Sequence, residues 1–287
     1  MKTGARTMNK EMTESYLISN GRIMPAAEPG SGTLPDASSK VLYEVIRVLS
    51  GVPLFLERHL ERLESSAKLV GSTVKPIAGN IEKSIYELIK ANNCPDKNIK
   101  ITVHSLNKEN PDYLAYFIHS SYPTDEEYSS GVHAILLREE RNNPNAKIVN
   151  SSFKERVAAA LSDANAYEAL LVNSENEITE GSRSNVFFVK DGIVYTAPKS
   201  NVLIGITRVC VFELCSRLGI KIEEKPIYTA SLCEMDGVFM TGTSPKLLPI
   251  STVDEMHFGS PDNHVIKALM KGYDEMLEDY IKGKING

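Results

Sequence analysis

Between residues 41 and 70 the apolar residues change period, and no single element satisfies both halves of the stretch. In VLYEVIRVL, Val41, Tyr43 and Val45 alternate with other residues, the period-two pattern of a strand. After a Ser50-Gly51 turn and the short apolar PLFL, the period lengthens. Leu56, Leu60, Leu63, Ala67 and Val70 recur at steps of four, three, four and three, one buried stripe along a helix. Gly71 stops that helix, and His59, Arg62 and Ser66 fall on a neighbouring face. A strand followed by an amphipathic helix predicts a helix-and-sheet layer.

The same pattern continues. Residues 81–91 predict a second amphipathic helix, and 99–105 and 113–119 predict strands. The stretch from Pro25 to Lys40 is rich in Pro, Gly and Ser and reads as a loop. SSYPTDEEYSSG is polar and holds a proline, so residues 121–130 are expected to be an interdomain linker. The expected division is a small α/β domain over 1–120 and a larger domain over 131–287. In the second half, VHAILL opens as a strand. Ser152-Phe-Lys-Glu155 matches a helix capping box, with the helix running on through VAAALSDANAYEA. Strands are predicted at 168–173 and 185–190, with Asp191-Gly192 as a hairpin turn into IVYTA. Val211, Leu214, Cys215 and Leu218 stand at i, i+3, i+4 and i+7 on a further helix ended by Gly219. GVFMT at 237–241 predicts a strand, and a last helix is expected over about 262–282.

Composition narrows the function classes. The formal net charge is −5 over 287 residues, which gives no electrostatic reason to expect a nucleic-acid or anionic-membrane partner. No run approaches the ~18 apolar residues of a membrane span. No apolar segment follows the charged N-terminus, so no signal peptide is read and a cytoplasmic protein is expected. Cys94, Cys210, Cys215 and Cys233 form no C-x-x-C pair, and their spacings do not suit a zinc site. They are expected to be reduced thiols, Cys210 and Cys215 as small buried hydrophobes.

Pattern alone marks only weak sites. Gly205-Ile206-Thr207 opens a helix, where free N–H groups and the positive helix end face outward. It is either a phosphate cradle or an ordinary helix start. Thr241-Gly242-Thr243-Ser244 is a second cluster of N–H and hydroxyl donors, or a plain turn. Lys154 sits near a helix N-terminus, a poor place for a cation and a reason for a lowered amine pKa, or it is a solvated surface lysine. Glu180, in a loop that leads to a strand, is either a placed carboxylate or a solvated one.

Three segments carry a resemblance that chooses among these readings. YEVIRVLSGVPLFLERHLERL (43–63), EALLVNSENEITEGSRSNVFFVKDGIVYTAPKSNVLIGITRVCVFELCSRLGI (168–220) and MDGVFMTGTSPKLLPI are similar, in order and spacing, to class IV (fold-type IV) pyridoxal-phosphate-dependent aminotransferases. The likeness spans most of residues 41–254. It implies an α+β, two-domain architecture: a small α/β N-terminal domain and a larger, β-barrel-like C-terminal domain with helices. It implies pyridoxal 5′-phosphate as cofactor, with no metal. The family includes branched-chain aminotransferases, D-amino acid aminotransferases and aminodeoxychorismate lyases.

The resemblance assigns roles to matching positions. Lys154, 26 residues before Glu180, takes the place of the lysine that carries the cofactor and moves the substrate proton. Glu180 matches the acid that pairs with the pyridine nitrogen. Arg62, Ile206, Thr207 and Thr243 match the contacts to the cofactor phosphate. The N–H groups of Thr243 and Ser244 match those that hold the substrate carboxylate. The chain also departs from the family. LPDASSK replaces an aromatic-plus-glycine stretch before Val41, leaving Ser38 near an absent aromatic substrate contact. Ala159 stands where branched-chain aminotransferases carry a tyrosine five residues after the lysine. The implied activity is amino-group transfer between an amino acid, branched-chain or similarly apolar by default, and a 2-oxo acid, in a homodimer. The alternatives are an aminodeoxychorismate lyase that releases pyruvate and a non-catalytic member that keeps the fold.

Overall fold

A computed structural model describes residues 11–27, 40–93, 96–141 and 143–286. The chain divides into two compact units. The first comprises the residues to Ser121 together with Ala146–Val149 and the end of the chain from Asp279; the second comprises Tyr122–Asn145 and Asn150–Glu278.

The first unit is built on a six-stranded sheet in the order β2-β1-β6-β5-β3-β4. Its strands are β1 (Tyr16–Ser19), β2 (Arg22–Pro25), β3 (Leu42–Leu49), β4 (Val52–Pro53), β5 (Asn98–His104) and β6 (Asp112–Ile118), and every pairing is antiparallel. Leu42, Ile46 and Val48 are buried against Leu56, Leu63 and Ala67 of α1 (Leu56–Leu69) and Ile77, Ile81, Ile85 and Leu88 of α2 (Lys75–Asn92). The switch from period two to the helical period thus makes a sheet and its cover. Leu42, Glu44, Ile46 and Val48 face the helices, and a polar group at Glu44 has to be satisfied by α1. Helix α2 starts six residues before the predicted Ile81 because Pro76, at the start of the helix, needs no N–H partner there.

The second unit holds a nine-stranded mixed sheet in the order β12-β11-β10-β13-β14-β7-β8-β9, with β15 on β14. Its strands are β7 (Val132–Arg138), β8 (Glu168–Val172), β9 (Ile178–Gly181), β10 (Asn185–Lys190), β11 (Ile193–Thr196), β12 (Ile222–Glu224), β13 (Gly237–Gly242), β14 (Lys246–Val253) and β15 (Met256–His257). The helices are α3 (Asp125–Ser130), α4 (Ser151–Asp163), α5 (Ile206–Leu218) and α6 (His264–Asn286). Two parallel pairs, β7/β8 and β11/β12, are bridged by α4 and α5, as parallel neighbours require a crossover. One face of the sheet buries Val186, Phe188, Val238 and Met240. On the other face Phe187 stacks on Phe239 at 5.0 Å and meets Phe212 of α5 edge-on at 6.4 Å. This packing sets the N-terminus of α5 over the β10/β13 pair. The α+β, two-part fold-type IV architecture expected from the resemblance is the one observed.

Several local expectations are corrected. Within residues 121–130, expected as a linker, the two units divide between Ser121 and Tyr122, and α3 occupies Asp125–Ser130. Thr124 Oγ1 accepts from Glu127 N at 3.2 Å while Glu127 Oε2 accepts from Thr124 N at 2.7 Å, so the capping box of this region lies here. At α4 the cap is Asn150, whose Oδ1 accepts from Phe153 N at 3.1 Å; Ser152 is already inside the helix. The helix ends at Asp163 rather than running to Ala169, as Asn165 adopts φ 49. Asp191 and Gly192 both have positive φ, 50 and 74, as a tight hairpin turn demands. Cys210 and Cys215 are buried, and burial pushes the Cys215 thiol up to about 11. Cys94 and the loop core 28–39, Ser38 included, lie outside the described residues. Among the described residues no helix is long and apolar enough to cross a membrane, and no cluster is placed to hold a metal ion.

Candidate active site

Glu180 is the penultimate residue of β9 and is 2% exposed. Its carboxylate is held at both oxygens: Arg141 Nη1 donates to Oε1 at 3.0 Å and the Leu203 amide donates to Oε2 at 3.0 Å. Arg141 escaped the sequence reading because an arginine in the polar run Arg-Asn-Asn-Pro-Asn carries no signal of its own. The turn after Glu180 winds round a second buried carboxylate. Glu168 accepts from Ser182 N, Ser182 Oγ and Ser184 Oγ at 3.1, 2.5 and 2.8 Å. Gly181 is required there, because a Cβ would lie 2.0 Å from Ser184 Oγ.

Leu203 is also held at its carbonyl, in the following peptide group. Asn185 Nδ2 donates to Leu203 O at 2.8 Å, so Glu180 and Asn185 together fix the residue that leads into α5. Gly205 is the N-cap of α5 and receives no side-chain cap. A Cβ on Gly205 would fall 2.2 Å from Asn185 Oδ1. Ile206 and Thr207 follow in the first turn, both buried. Arg208 then anchors that turn by donating to Thr196 Oγ1 at 2.7 Å, Ala197 O at 3.0 Å and Glu224 Oε1 at 2.9 Å. Asn185 is also the register partner of Thr241 on β13, two residues before Thr243. Thr243 and Ser244 form the β13/β14 turn and are half-buried. The structure therefore gathers Glu180, Ile206, Thr207, Thr243 and Ser244, through Leu203, Asn185 and Thr241, at one end of the large sheet.

The chemistry of this end suits a phosphorylated pyridine. Free amides at an uncapped helix start and hydroxyls on a neighbouring turn favour a phosphate, while a buried carboxylate held by hydrogen bonds suits a protonated ring nitrogen. Thr241 Oγ1 is one of the few buried polar atoms without a hydrogen-bond partner among the described residues.

Arg62 lies in the first unit, on α1. Its Nε and Nη2 donate to the two oxygens of Glu44 at 2.8 and 2.6 Å, and His59 Nδ1 meets Glu44 Oε2 at 2.8 Å. Burial alone would raise Glu44, but the Arg62 charge and hydrogen bonds, with His59, hold it well below the usual carboxylate range. Burial pushes His59 down despite the bond to Glu44.

Lys154 stands in the first turn of α4 with its residue exposed. Another lysine, passed over by the sequence reading, has different surroundings. Lys147 is half-buried in the short segment 146–149. Tyr43 N donates to Lys147 O at 3.1 Å, Lys147 N donates to Ser66 Oγ at 3.2 Å, and the ammonium lies 4.6 Å from the Tyr43 ring centroid. Within the second unit, Asn145 donates to Val202 O at 2.9 Å. The available signal was a lysine inside the strand-like run Ala-Lys-Ile-Val.

The family model for amino-transferase class IV matches residues 41–253. A D-alanine aminotransferase from Bacillus licheniformis is 28% identical over 258 residues, covering 85% of this chain and 90% of its own. A probable branched-chain-amino-acid aminotransferase from Rickettsia bellii is 28% identical over 261 residues, covering 86% and 90%. The fold matches that of a branched-chain amino acid aminotransferase from Thermobaculum terrenum, solved in its pyridoxal-phosphate form, with a TM-score of 0.80 at 23% identity, covering 94% of this chain and 96% of that one. With a match that runs from β3 to the end of β14, this chain belongs to the class IV aminotransferase family.

Proposed function

We propose that the chain is a pyridoxal-phosphate-dependent aminotransferase that moves an amino group between an apolar amino acid, branched-chain by default, and a 2-oxo acid. The observation that carries this reading is the shared hold on Leu203, which sets Glu180 at a fixed span from the N-terminus of α5. That span offers an acid for a ring nitrogen and amides for a phosphate on one rigid piece.

Pyridoxal phosphate, when bound, supplies an aldehyde for the amino group and a ring that takes up the electrons released at the substrate α-carbon. The chain's residues do the rest. Arg62 and the Gly205–Thr207 turn, with Thr243, bind the phosphate. Glu180, held by Arg141 and the Leu203 amide, would pair with the ring nitrogen and favour its protonated form by opposite charge. A lysine amine carries the proton to and from the α-carbon. The N–H groups of Thr243 and Ser244 hold the substrate carboxylate. Ser38 is assigned to the substrate side, and a homodimer is the expected assembly.

For the lysine we take Lys147 over the sequence expectation, Lys154. An amine that must meet a buried acid's cofactor is better served by a half-buried residue beside Tyr43 than by an exposed one on α4. Borohydride reduction of the cofactor-loaded protein, followed by peptide mapping, separates the two. Label on the peptide holding Lys154 restores the first assignment.

The activity itself is tested by the visible spectrum of the purified protein loaded with pyridoxal phosphate. The expected result is an absorption band that bleaches with D- or L-amino acids and returns with a 2-oxo acid; a panel of single amino acids then names the substrate. Pyruvate release that needs no oxo-acid acceptor would replace this reading with the lyase. No band at all would leave a non-catalytic member of the family.

A further inference from the structure

We propose that Thr241 is a further anion contact at the N-terminus of α5, its hydroxyl donating to the phosphate of the bound cofactor. The inference rests on the proposed function for the identity of the phosphate, and it adds a residue outside the set that the resemblance assigned.

Three observations carry it. Thr241 is 1% exposed, and its Oγ1 has no hydrogen-bond partner among the described residues. A buried hydroxyl left unpaired costs about 1–3 kcal/mol, so a folded chain that keeps one has a use for it. Its direction follows from the register. Thr241 lies opposite Asn185 in the antiparallel β10/β13 pair, and directly opposed residues project from the same face of the sheet. Asn185 on that face reaches Leu203 O, with its Oδ1 turned to Gly205. The Thr241 hydroxyl therefore projects from the face that carries the start of α5. Finally, α5 is a 13-residue helix whose first turn receives no side-chain cap, so its amides are available to the same anion. One dianion placed there would take the α5 amides and the orphaned hydroxyl together.

The test uses the full chain and four probes: pyridoxal phosphate, pyridoxal, inorganic phosphate and heat. Thr241→Val keeps the shape and removes the hydroxyl. Its affinity for pyridoxal phosphate is expected to fall roughly tenfold, the low end for a hydrogen bond to a charged group. Affinity for pyridoxal, which lacks the phosphate, stays unchanged. Thr241→Ser, which keeps the hydroxyl, returns to within about twofold of the wild type. The melting temperature of the cofactor-free Thr241→Val protein is unchanged or raised, because an unpaired hydroxyl has been removed, whereas the melt-stabilising effect of inorganic phosphate shrinks.

Equal pyridoxal phosphate affinity in wild type and Thr241→Val overturns the proposal. So does an equal loss for pyridoxal phosphate and pyridoxal, which would make Thr241 a packing residue. A lower cofactor-free melting temperature also overturns it, because the hydroxyl would then already have a partner in the folded chain. The proposed function fails separately, by a wild type that shows no pyridoxal-phosphate band. The phosphate-dependent melt still decides Thr241 in that case, and a wild type without phosphate stabilisation rejects it.

Discussion

The Leu203 amide donates to Glu180 Oε2 at 3.0 Å, although the two residues are separated by two strands and a 3₁₀ turn. This bond joins the acid at the end of β9 to the segment that becomes the first turn of α5. The carbonyl oxygen of the same residue is held by Asn185. Anything that displaces Glu180 is therefore felt at the start of α5.

Glu180→Gln keeps the shape but removes the charge that maintains a protonated ring. Turnover is expected to fall about 10²- to 10³-fold, the usual loss when one placed electrostatic group is removed from an active site. Pyridoxal phosphate should still bind. Single-turnover kinetics with cofactor titration checks both, and near-normal turnover would remove Glu180 from the mechanism.

Lys147→Ala should abolish turnover, whereas Lys154→Ala should leave it within about twofold, as most surface substitutions shift energies by less than ~0.5 kcal/mol. Steady-state rates of the two variants, beside their circular dichroism spectra, give the answer. The reverse pattern would return the role to α4.

Gly181→Ala places a Cβ 2.0 Å from Ser184 Oγ and 3.1 Å from Glu168 Oε2. The turn must open, at a cost of about 1–3 kcal/mol, as overpacking generally costs. Because that turn follows Glu180 directly, cofactor affinity should fall as well. Chemical denaturation and a pyridoxal phosphate titration measure the two effects, and a variant as stable as wild type would show that the turn has slack.

Glu44→Ala removes the partner of Arg62 and His59 inside the first unit. Breaking a buried ion pair by removing one member costs about 3–5 kcal/mol, and the melting temperature should drop accordingly. A loss below about 1 kcal/mol would mean that water reaches Arg62 and replaces the carboxylate.

The same cluster sets a pH dependence. His59 has a folded pKa below its ordinary 6.5, so the unfolded chain takes up its proton first as pH falls. Glu44 is likewise depressed below its ordinary 4.5. Both groups therefore stabilise the fold fully above about pH 6.5, and the contribution declines on acidification, first through His59 and then through Glu44. Thermal melts across that range, in wild type and His59→Gln, should show a shallower slope between pH 4.5 and 6.5 in the variant. Parallel slopes would assign the acid lability elsewhere.

The long periodic elements were legible in the sequence because burial of one face repeats along the chain. The stripe from Leu56 to Ala67, the hairpin at Asp191-Gly192 and the helix ended by Gly219 needed no partner to be recognised. Short elements were not: β1, β2 and β9 have four residues each, too few for a period to repeat. The cap at Asn150 was obscured by a better-looking motif two residues later. Resemblance, added to pattern, pointed to Glu180, Ile206, Thr207, Thr243 and Ser244.

What the residue order determined by itself was the alternation of strands and helices and the family that such an order belongs to, since local periodicity and motif spacing are properties of the chain. Tertiary structure alone decided that Arg141 and Leu203 hold Glu180, that Asn185 grips the approach to α5, and that the Thr241 hydroxyl is buried without a partner. It also separated a half-buried Lys147 from an exposed Lys154. These are facts of burial and of hydrogen bonds between distant residues, and such contacts exist only once the sheet has set its register.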